Sequence, residues 1–153
     1  MRGLTLVQPL ASLVAIGVKG NETRGWSTSY RGVIAIHAAK EMPGADHPLA
    51  RLVATSSAIA AEHMERLKML SPTLPLGAVV CVATLLDIVR AADVVDSLSA
   101  HERALGDYGA GRFVFLLGDV LPLEEPYAIR GLQGLWPIEA RAASEILARA
   151  VKP

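Results

Sequence analysis

The chain has 153 residues, enough for a single domain spanning 1–153 to bury a core of its own. Hydrophobic residues make up 52% of it and charged residues 20%, a balance that excludes an intrinsically disordered chain. The 15 basic side chains are matched by 15 acidic ones, so net charge gives no reason to expect an extended contact with a nucleic-acid backbone.

The charges are nevertheless distributed unevenly along the sequence. Residues 1–40 contain five basic side chains and one acidic side chain, whereas residues 71–125 contain three basic and eight acidic ones. This polarity suits a local site for a small anionic ligand or a few nucleotides. Ordinary scatter of surface charge is the alternative.

Cysteine usage and hydropathy predict a cytoplasmic protein that makes no contact with a membrane. The one cysteine, Cys81, lies in an apolar run and is expected to be a buried core thiol with no disulfide partner in the chain. The longest apolar run, 77–86, is about half of the roughly 20 residues that a membrane helix needs. The first residues do not have the pattern of a signal peptide.

The first forty residues predict three strands and a short helix. Alternating residues at 4–7 indicate a strand that proline ends, and the helical spacing over 9–16 indicates a helix that ends at Gly17. A second strand is expected over 21–26. After a polar loop, the apolar run 32–38 predicts a buried strand.

Apolar residues at helical spacing predict one amphipathic helix over 49–69, with Asp46 as a candidate cap and Pro48 in its first turn. Ser71, Pro72 and Pro75 are expected to end this helix. The β-branched run 78–89 predicts a long strand.

The C-terminal third predicts a helix over 97–104, capped by Ser97 or Ser99, and a closing helix over 137–150. Between them, 112–117 and 120–127 are expected to form a hairpin around Gly118 and Asp119. Strands and helices follow one another without a regular βαβ alternation. This pattern predicts an α+β domain with a small mixed sheet or barrel and packed helices.

Segment 17–24 carries the most distinctive chemistry, because it places Lys19, Glu22 and Arg24 within eight residues. In a strand, Glu22, Arg24 and Trp26 share one face, since side chains alternate with a period of two. Lys19 precedes them in a glycine-containing turn. This set is a candidate site for a phosphate, an amide or a base edge. A surface cluster of ion pairs is the alternative.

Further candidates flank this segment. Trp26 and Tyr30 are placed to stack a base and Arg31 to hold a phosphate, although half-buried packing at a strand end is the more frequent role for such aromatic rings. His37 ends an apolar strand and is either a ligand contact or a core histidine. Glu102 is either a cleft carboxylate or part of a solvated helix face. Neither a metal site nor an organic cofactor is expected, because the histidines have no ligand spacing.

The segment Gly17 to Arg24 matches the pattern GxKxxExR, and the chain resembles the ASCH (activating-signal-cointegrator homology) domain family of the PUA-like superfamily. Further resemblances cover nearly the whole chain, at Gln8-Pro9, Arg24-x-Trp26, 30–32, 36–40, 77–80, Glu102, Arg112-Phe113 and 134–136. The resemblance implies a PUA-like mixed β-barrel with flanking helices and a cleft lined by the signature residues.

The resemblance also implies function. Members bind RNA or nucleosides, and by this resemblance the expected ligand contacts in this chain are Lys19, Glu22, Arg24, Trp26, Tyr30, Arg31 and His37. The alternative is a hydrolase, either a ribonuclease or an amidohydrolase of N4-acetylcytidine, with Lys19, Glu22 and Glu102 as catalytic residues. In those amidohydrolases a lysine, a threonine and a glutamate carry the reaction, and Glu22 stands here where the threonine is expected.

A second alternative is a non-catalytic module that binds a protein partner through its acidic surface. On the first interpretation the partner is RNA, a single-stranded nucleic acid or a nucleoside. Lys19→Ala is then expected to abolish ligand binding with little loss of stability.

Overall fold

The computed structural model describes residues 1–47, 49–70 and 73–151. Six strands and six α-helices lie in that part of the chain. In chain order they are β1 (Arg2–Leu6), α1 (Leu10–Ala15), β2 (Asn21–Arg24), β3 (Gly32–Ala38), α2 (Ala50–Glu62), α3 (Met64–Leu70), β4 (Ala78–Arg90), α4 (Ala91–Val94), α5 (Ala100–Ala104), β5 (Phe113–Ala128), β6 (Leu135–Pro137) and α6 (Ala140–Ala148). A 3₁₀ turn, Val95–Ser97, follows α4.

The strands form one mixed sheet in the order β2-β5-β4-β3-β1-β6. Strands β1 and β3 are parallel, and the other neighbours are antiparallel. The sheet curls into a half-barrel with β2 and β6 at its edges in the described part of the chain. The predicted α+β class, with a small curled mixed sheet and packed helices, is therefore confirmed.

The core lies between the sheet and α1. All six residues of α1 are buried, so this short helix is covered on every side. It packs against one face of the apolar strands β3 and β4, and a second cluster with Ile146 of α6 covers their other face, so both strands are buried over most of their length. Cys81 belongs to this core, and burial raises the pKa of its thiol. None of the described helices is long and apolar enough to cross a membrane.

The hairpin predicted around Gly118 and Asp119 is wrong, because β5 runs through both residues as one strand. The long strand β4 supplies a partner on both sides of them. Val82 pairs with Leu121 and Thr84 with Gly118, so β5 places one extra residue opposite β4 in a bulge. Asp119 takes up this bulge with a positive φ of 46°. The turn-like composition marks a bend within the strand and not its end.

The single helix predicted over 49–69 is also wrong, since α2 and α3 are separated at His63. The His63 amide bonds to the Ala60 carbonyl three residues back, which tightens the last turn of α2. Asp46 makes no cap, because α2 begins after Leu49 and no side chain caps it. The expectations for Pro48, Ser71 and Pro72 fall outside the described residues.

Other predicted elements are confirmed within a few residues: β1, α1, β3, β4 and α6 all form. The predicted helix 97–104 is shorter and begins at Ala100. Its N-cap is Ser99, whose hydroxyl accepts a hydrogen bond from the Glu102 amide.

Candidate functional site

The charged segment begins where α1 ends. Gly17 has a φ of +73°, a left-handed conformation that glycine adopts without strain, and it terminates the helix. The amides of Val18 and Lys19 then both bond to the Leu13 carbonyl. This turn directs the chain to β2, which pairs with β5 at the edge of the sheet.

Lys19 lies inside the protein and not at its surface. The residue is only 1% exposed, and its Nζ donates to the Leu105 carbonyl oxygen at 2.8 Å. The same nitrogen lies 3.4 Å from Glu22 Oε2. A buried ammonium is tolerated only when it is paired and hydrogen-bonded, and these two oxygens meet that requirement.

Glu22 joins Lys19 to Arg24. One carboxylate oxygen of Glu22 faces Lys19, and the other lies 3.1 Å from Arg24 NH2. That nitrogen also donates to the Thr5 carbonyl oxygen on β1, at 2.7 Å. Glu22 and Arg24 therefore share one strand face, as the period of two requires. The four groups form a continuous chain of alternating donors and acceptors.

Glu102 lies in α5 and holds the turn that precedes β2. Its two carboxylate oxygens accept from the amides of Gly20, at 3.0 Å, and Asn21, at 3.1 Å. The Tyr108 hydroxyl donates to the same carboxylate at 3.2 Å. Burial, reinforced by this neighbouring carboxylate, raises the pKa of Tyr108, so its phenol remains a donor. Glu102 thus acts on the backbone of the signature segment.

A cavity of about 370 Å³ opens beside Glu22 and Arg24. Its polar wall is built by two acids and two cations with a threonine between them: Glu22, Asp107, Arg24, Arg112 and Thr23. Trp26 and leucines from β1, α1 and α2 supply the apolar wall. The ionised side chains that line the cavity therefore balance, with Lys19 adding one positive charge beneath Glu22.

The cavity includes residues that the sequence analysis did not select. Arg112 NH2 donates to the Thr23 carbonyl oxygen at 3.1 Å, and its Nε lies 3.4 Å from Asp107 Oδ2. Arg112 precedes β5, whose first residue, Phe113, pairs with Arg24. The strand pairing therefore brings the two arginines to one end of the sheet, which no local pattern could indicate.

Both cavity arginines retain a donor. Arg24 Nε and Arg112 Nε are buried and have no hydrogen-bond partner within residues 1–47, 49–70 and 73–151. A buried donor without an acceptor costs about 1–3 kcal/mol. The Asp107 carboxylate, 3.4 Å from Arg112 Nε, offsets part of this cost as an ion pair.

Of the predicted aromatic and basic contacts, Trp26 lies at the cavity, whereas Tyr30 and Arg31 do not line it. The Trp26 ring packs edge-on against Phe115, with 5.1 Å between ring centroids. The Tyr30 hydroxyl donates to the Val33 carbonyl oxygen, and Arg31 forms an ion pair with Asp87 at 2.8 Å. These last two side chains stabilise the start of β3.

His37 lines a second cavity, together with Thr5, Lys40 and Arg130. Its Nε2 is 3.0 Å from the Ile129 carbonyl oxygen, and burial lowers its pKa. The described residues contain no group of three or more His, Cys, Asp or Glu side chains able to hold a metal ion.

Comparisons with known proteins address the fold. The sequence matches no family model, and no curated protein sequence matches it. The crystal structure of ASCH from Zymomonas mobilis is similar over 99% of this chain and 96% of that one, with 17% identity and a TM-score of 0.61. Tyrosine-to-phenylalanine and serine-to-alanine variants of that protein give TM-scores of 0.59 and 0.58, also at 17% identity and over 98% of this chain. The similarity extends over 98% of the first variant's chain and 96% of the second's.

The chain therefore has the fold of these ASCH structures, and the predicted resemblance is confirmed at the level of the fold.

Proposed function

We propose that the cavity beside β2 binds a nucleoside or a single unstacked base of RNA. The observation that carries this proposal is the composition of its walls. Acids and cations are balanced on one side, and Trp26 and leucines form the other. A nucleobase presents the complementary surface, with donors and acceptors along its edges and an apolar face.

The size of the cavity agrees with one nucleoside. Small-molecule sites usually have volumes of roughly 300–1,000 Å³, and this one has about 370 Å³. Arg24 and Arg112 are placed to donate to ring nitrogens or carbonyl oxygens, and Glu22 and Asp107 to accept from amino groups. Trp26 supplies a ring for apolar contact.

Lys19 has an indirect role in this proposal. Its Nζ is buried behind Glu22, so the lysine fixes the carboxylate that faces the ligand and does not itself reach it. The burial of Lys19 and the contacts of Glu102 also reduce the set of residues available to the hydrolase alternative. Glu102 is bonded to two backbone amides and a phenol, which leaves Glu22 as the one carboxylate of the predicted catalytic set at the cavity.

A pair of matched arginine variants tests the proposal. Arg112→Gln removes a cavity guanidinium that is paired with an aspartate, and Arg31→Gln removes one that is paired with Asp87 away from the cavity. Calorimetric titration with the four ribonucleosides should show binding to wild type and to Arg31→Gln. Binding to Arg112→Gln should be about ten- to a hundredfold weaker, since hydrogen bonds from charged groups contribute about 1.5–3 kcal/mol.

Equal nucleoside affinities of the two variants would refute this assignment of the cavity. Failure of the wild-type protein to bind any of the four nucleosides would refute it as well. Mass spectrometry of the same mixtures, with short RNA and N4-acetylcytidine added, tests the hydrolase alternative. A cleaved phosphodiester or a released acetyl group would show an enzyme and identify the bond that it breaks.

A further inference from the structure

The cavity beside β2 shares lining residues with two neighbouring depressions. Arg24 and Trp26 also line a second depression of about 350 Å³, together with Leu132 and Gln133. Leu132 and Gln133 in turn line the larger cavity that contains His37, which has a volume of about 1070 Å³. Thr5 lines all three spaces. The three form one path across the end of β1.

The charge changes along this path. At the nucleoside end, two acids balance two cations. At the far end, Lys40 and Arg130 line the cavity and no acidic side chain does so within the described residues. Both cations are exposed. Neither makes a side-chain hydrogen bond or an ion pair with any residue in the described part of the chain. We call this far end, lined by His37, Lys40, Arg130 and Gln133, the basic groove.

We propose that the basic groove holds the phosphates of a single-stranded nucleic acid whose base occupies the cavity beside β2. This inference rests on the proposed function and extends it from a nucleoside to a chain of at least two nucleotides. In a nucleotide chain the bases are uncharged and the phosphates beside them are negative. This arrangement matches a pocket whose charges balance next to a groove lined by cations. A duplex does not fit, because its bases are paired and stacked and cannot enter the pocket.

Two double variants with the same net charge test the inference. Lys40→Ala with Arg130→Ala removes the two groove cations, whereas Lys68→Ala with Arg141→Ala removes two that lie outside the path. Each lowers the net charge of the chain by two, so a general electrostatic effect would be the same in both. All four side chains are exposed, and thermal melting should confirm that both proteins fold.

The measurement is the affinity for a ribonucleoside and for RNA oligomers of two to four nucleotides at 50 and 200 mM salt. Each phosphate contact to a single strand contributes about 0.7 to the slope of log affinity against log salt. Loss of two contacts should therefore lower the slope by about 1.4. The wild-type affinity for oligomers should then fall about sevenfold more across this salt range than the affinity of the groove variant.

The nucleoside separates this inference from the proposed function. We expect the groove variant to bind the nucleoside as wild type does, and to lose the additional affinity for oligomers that the control variant keeps. If it binds oligomers with wild-type affinity and salt slope, the basic groove holds no phosphates, while the nucleoside pocket still stands. If wild type binds no nucleoside, the pocket proposal fails and this one with it.

Discussion

Replacing Lys19 by methionine should destabilise the protein, because the lysine is an internal connection and not a surface charge. Methionine keeps most of the side-chain volume, so little of the effect would come from a cavity. The change removes the donor to the Leu105 carbonyl oxygen and one of the two cations beside Glu22. Burial leads us to expect the opposite of the sequence-based prediction, which foresaw little loss of stability.

The magnitude follows from those two losses. Removing one partner of a buried ion pair costs about 3–5 kcal/mol when the other charge is left alone. Glu22 keeps Arg24 at 3.1 Å, which places the cost at the lower end of that range. We therefore expect a decrease of about 3 kcal/mol in the free energy of unfolding. For a chain of this length, the melting temperature would fall by roughly 6–12 °C.

Urea denaturation followed by circular dichroism measures the effect, with Lys68→Met as the control. Lys68 is exposed and paired with the exposed Glu65, so its replacement should change the free energy of unfolding by less than about 0.5 kcal/mol. In the double variant Lys19→Met with Glu22→Gln, the glutamine needs no cation. Part of the lost stability, about 1–2 kcal/mol, should return.

A free energy of unfolding of Lys19→Met within about 1 kcal/mol of the wild-type value would contradict this internal role of the lysine. If nucleoside binding were lost at the same time, the lysine would contact the ligand directly, as the sequence interpretation held.

Three further changes test other contacts. Glu102→Ala removes the acceptor of the Gly20 amide, so hydrogen exchange of that amide should accelerate about tenfold or more, and unchanged protection would show that Glu102 does not hold the turn. Burial lowers the pKa of His37 in the folded protein. Below the unperturbed histidine pKa of about 6.5, the unfolded state therefore binds more protons than the folded state does. Stability should then fall with decreasing pH by up to roughly 1.4 kcal/mol per unit, and His37→Gln should show a flatter profile between pH 7.5 and 5.5. Gly3→Ala would place a Cβ 2.5 Å from the Trp136 ring, so urea denaturation should show a loss of about 1–3 kcal/mol, and wild-type stability would contradict that packing.

Features that depend on neighbours in sequence could be predicted. The shared face of Glu22 and Arg24 follows from the period of a strand, and the end of α1 follows from Gly17. The apolar run that became β4 needs no partner to be recognised as a strand. In each case the physical cause, either alternation or backbone freedom, acts within a few residues.

Features that depend on distant partners could not be predicted. The acceptor that allows Lys19 to be buried, the Leu105 carbonyl oxygen, lies 86 positions further along the chain. The hairpin prediction for 112–127 failed because β4 continues opposite β5, and the composition around Asp119 carries no information about that partner. Arg112 belongs to the cavity through strand pairing alone.

Thr5 connects the cavity beside β2 to the basic groove by direct contacts. Its carbonyl oxygen accepts from Arg24, which lines the cavity beside β2. Its hydroxyl donates to the Leu132 carbonyl oxygen and accepts from Trp136 Nε1, and Leu132 lines the groove. One residue of β1 thus fixes a pocket side chain through its backbone and a groove loop through its side chain. Because Arg24 is also joined through Glu22 to Lys19, a chain of contacts runs from the interior to the groove. The buried lysine of the signature segment is therefore connected to both cavities, although it lines neither of them.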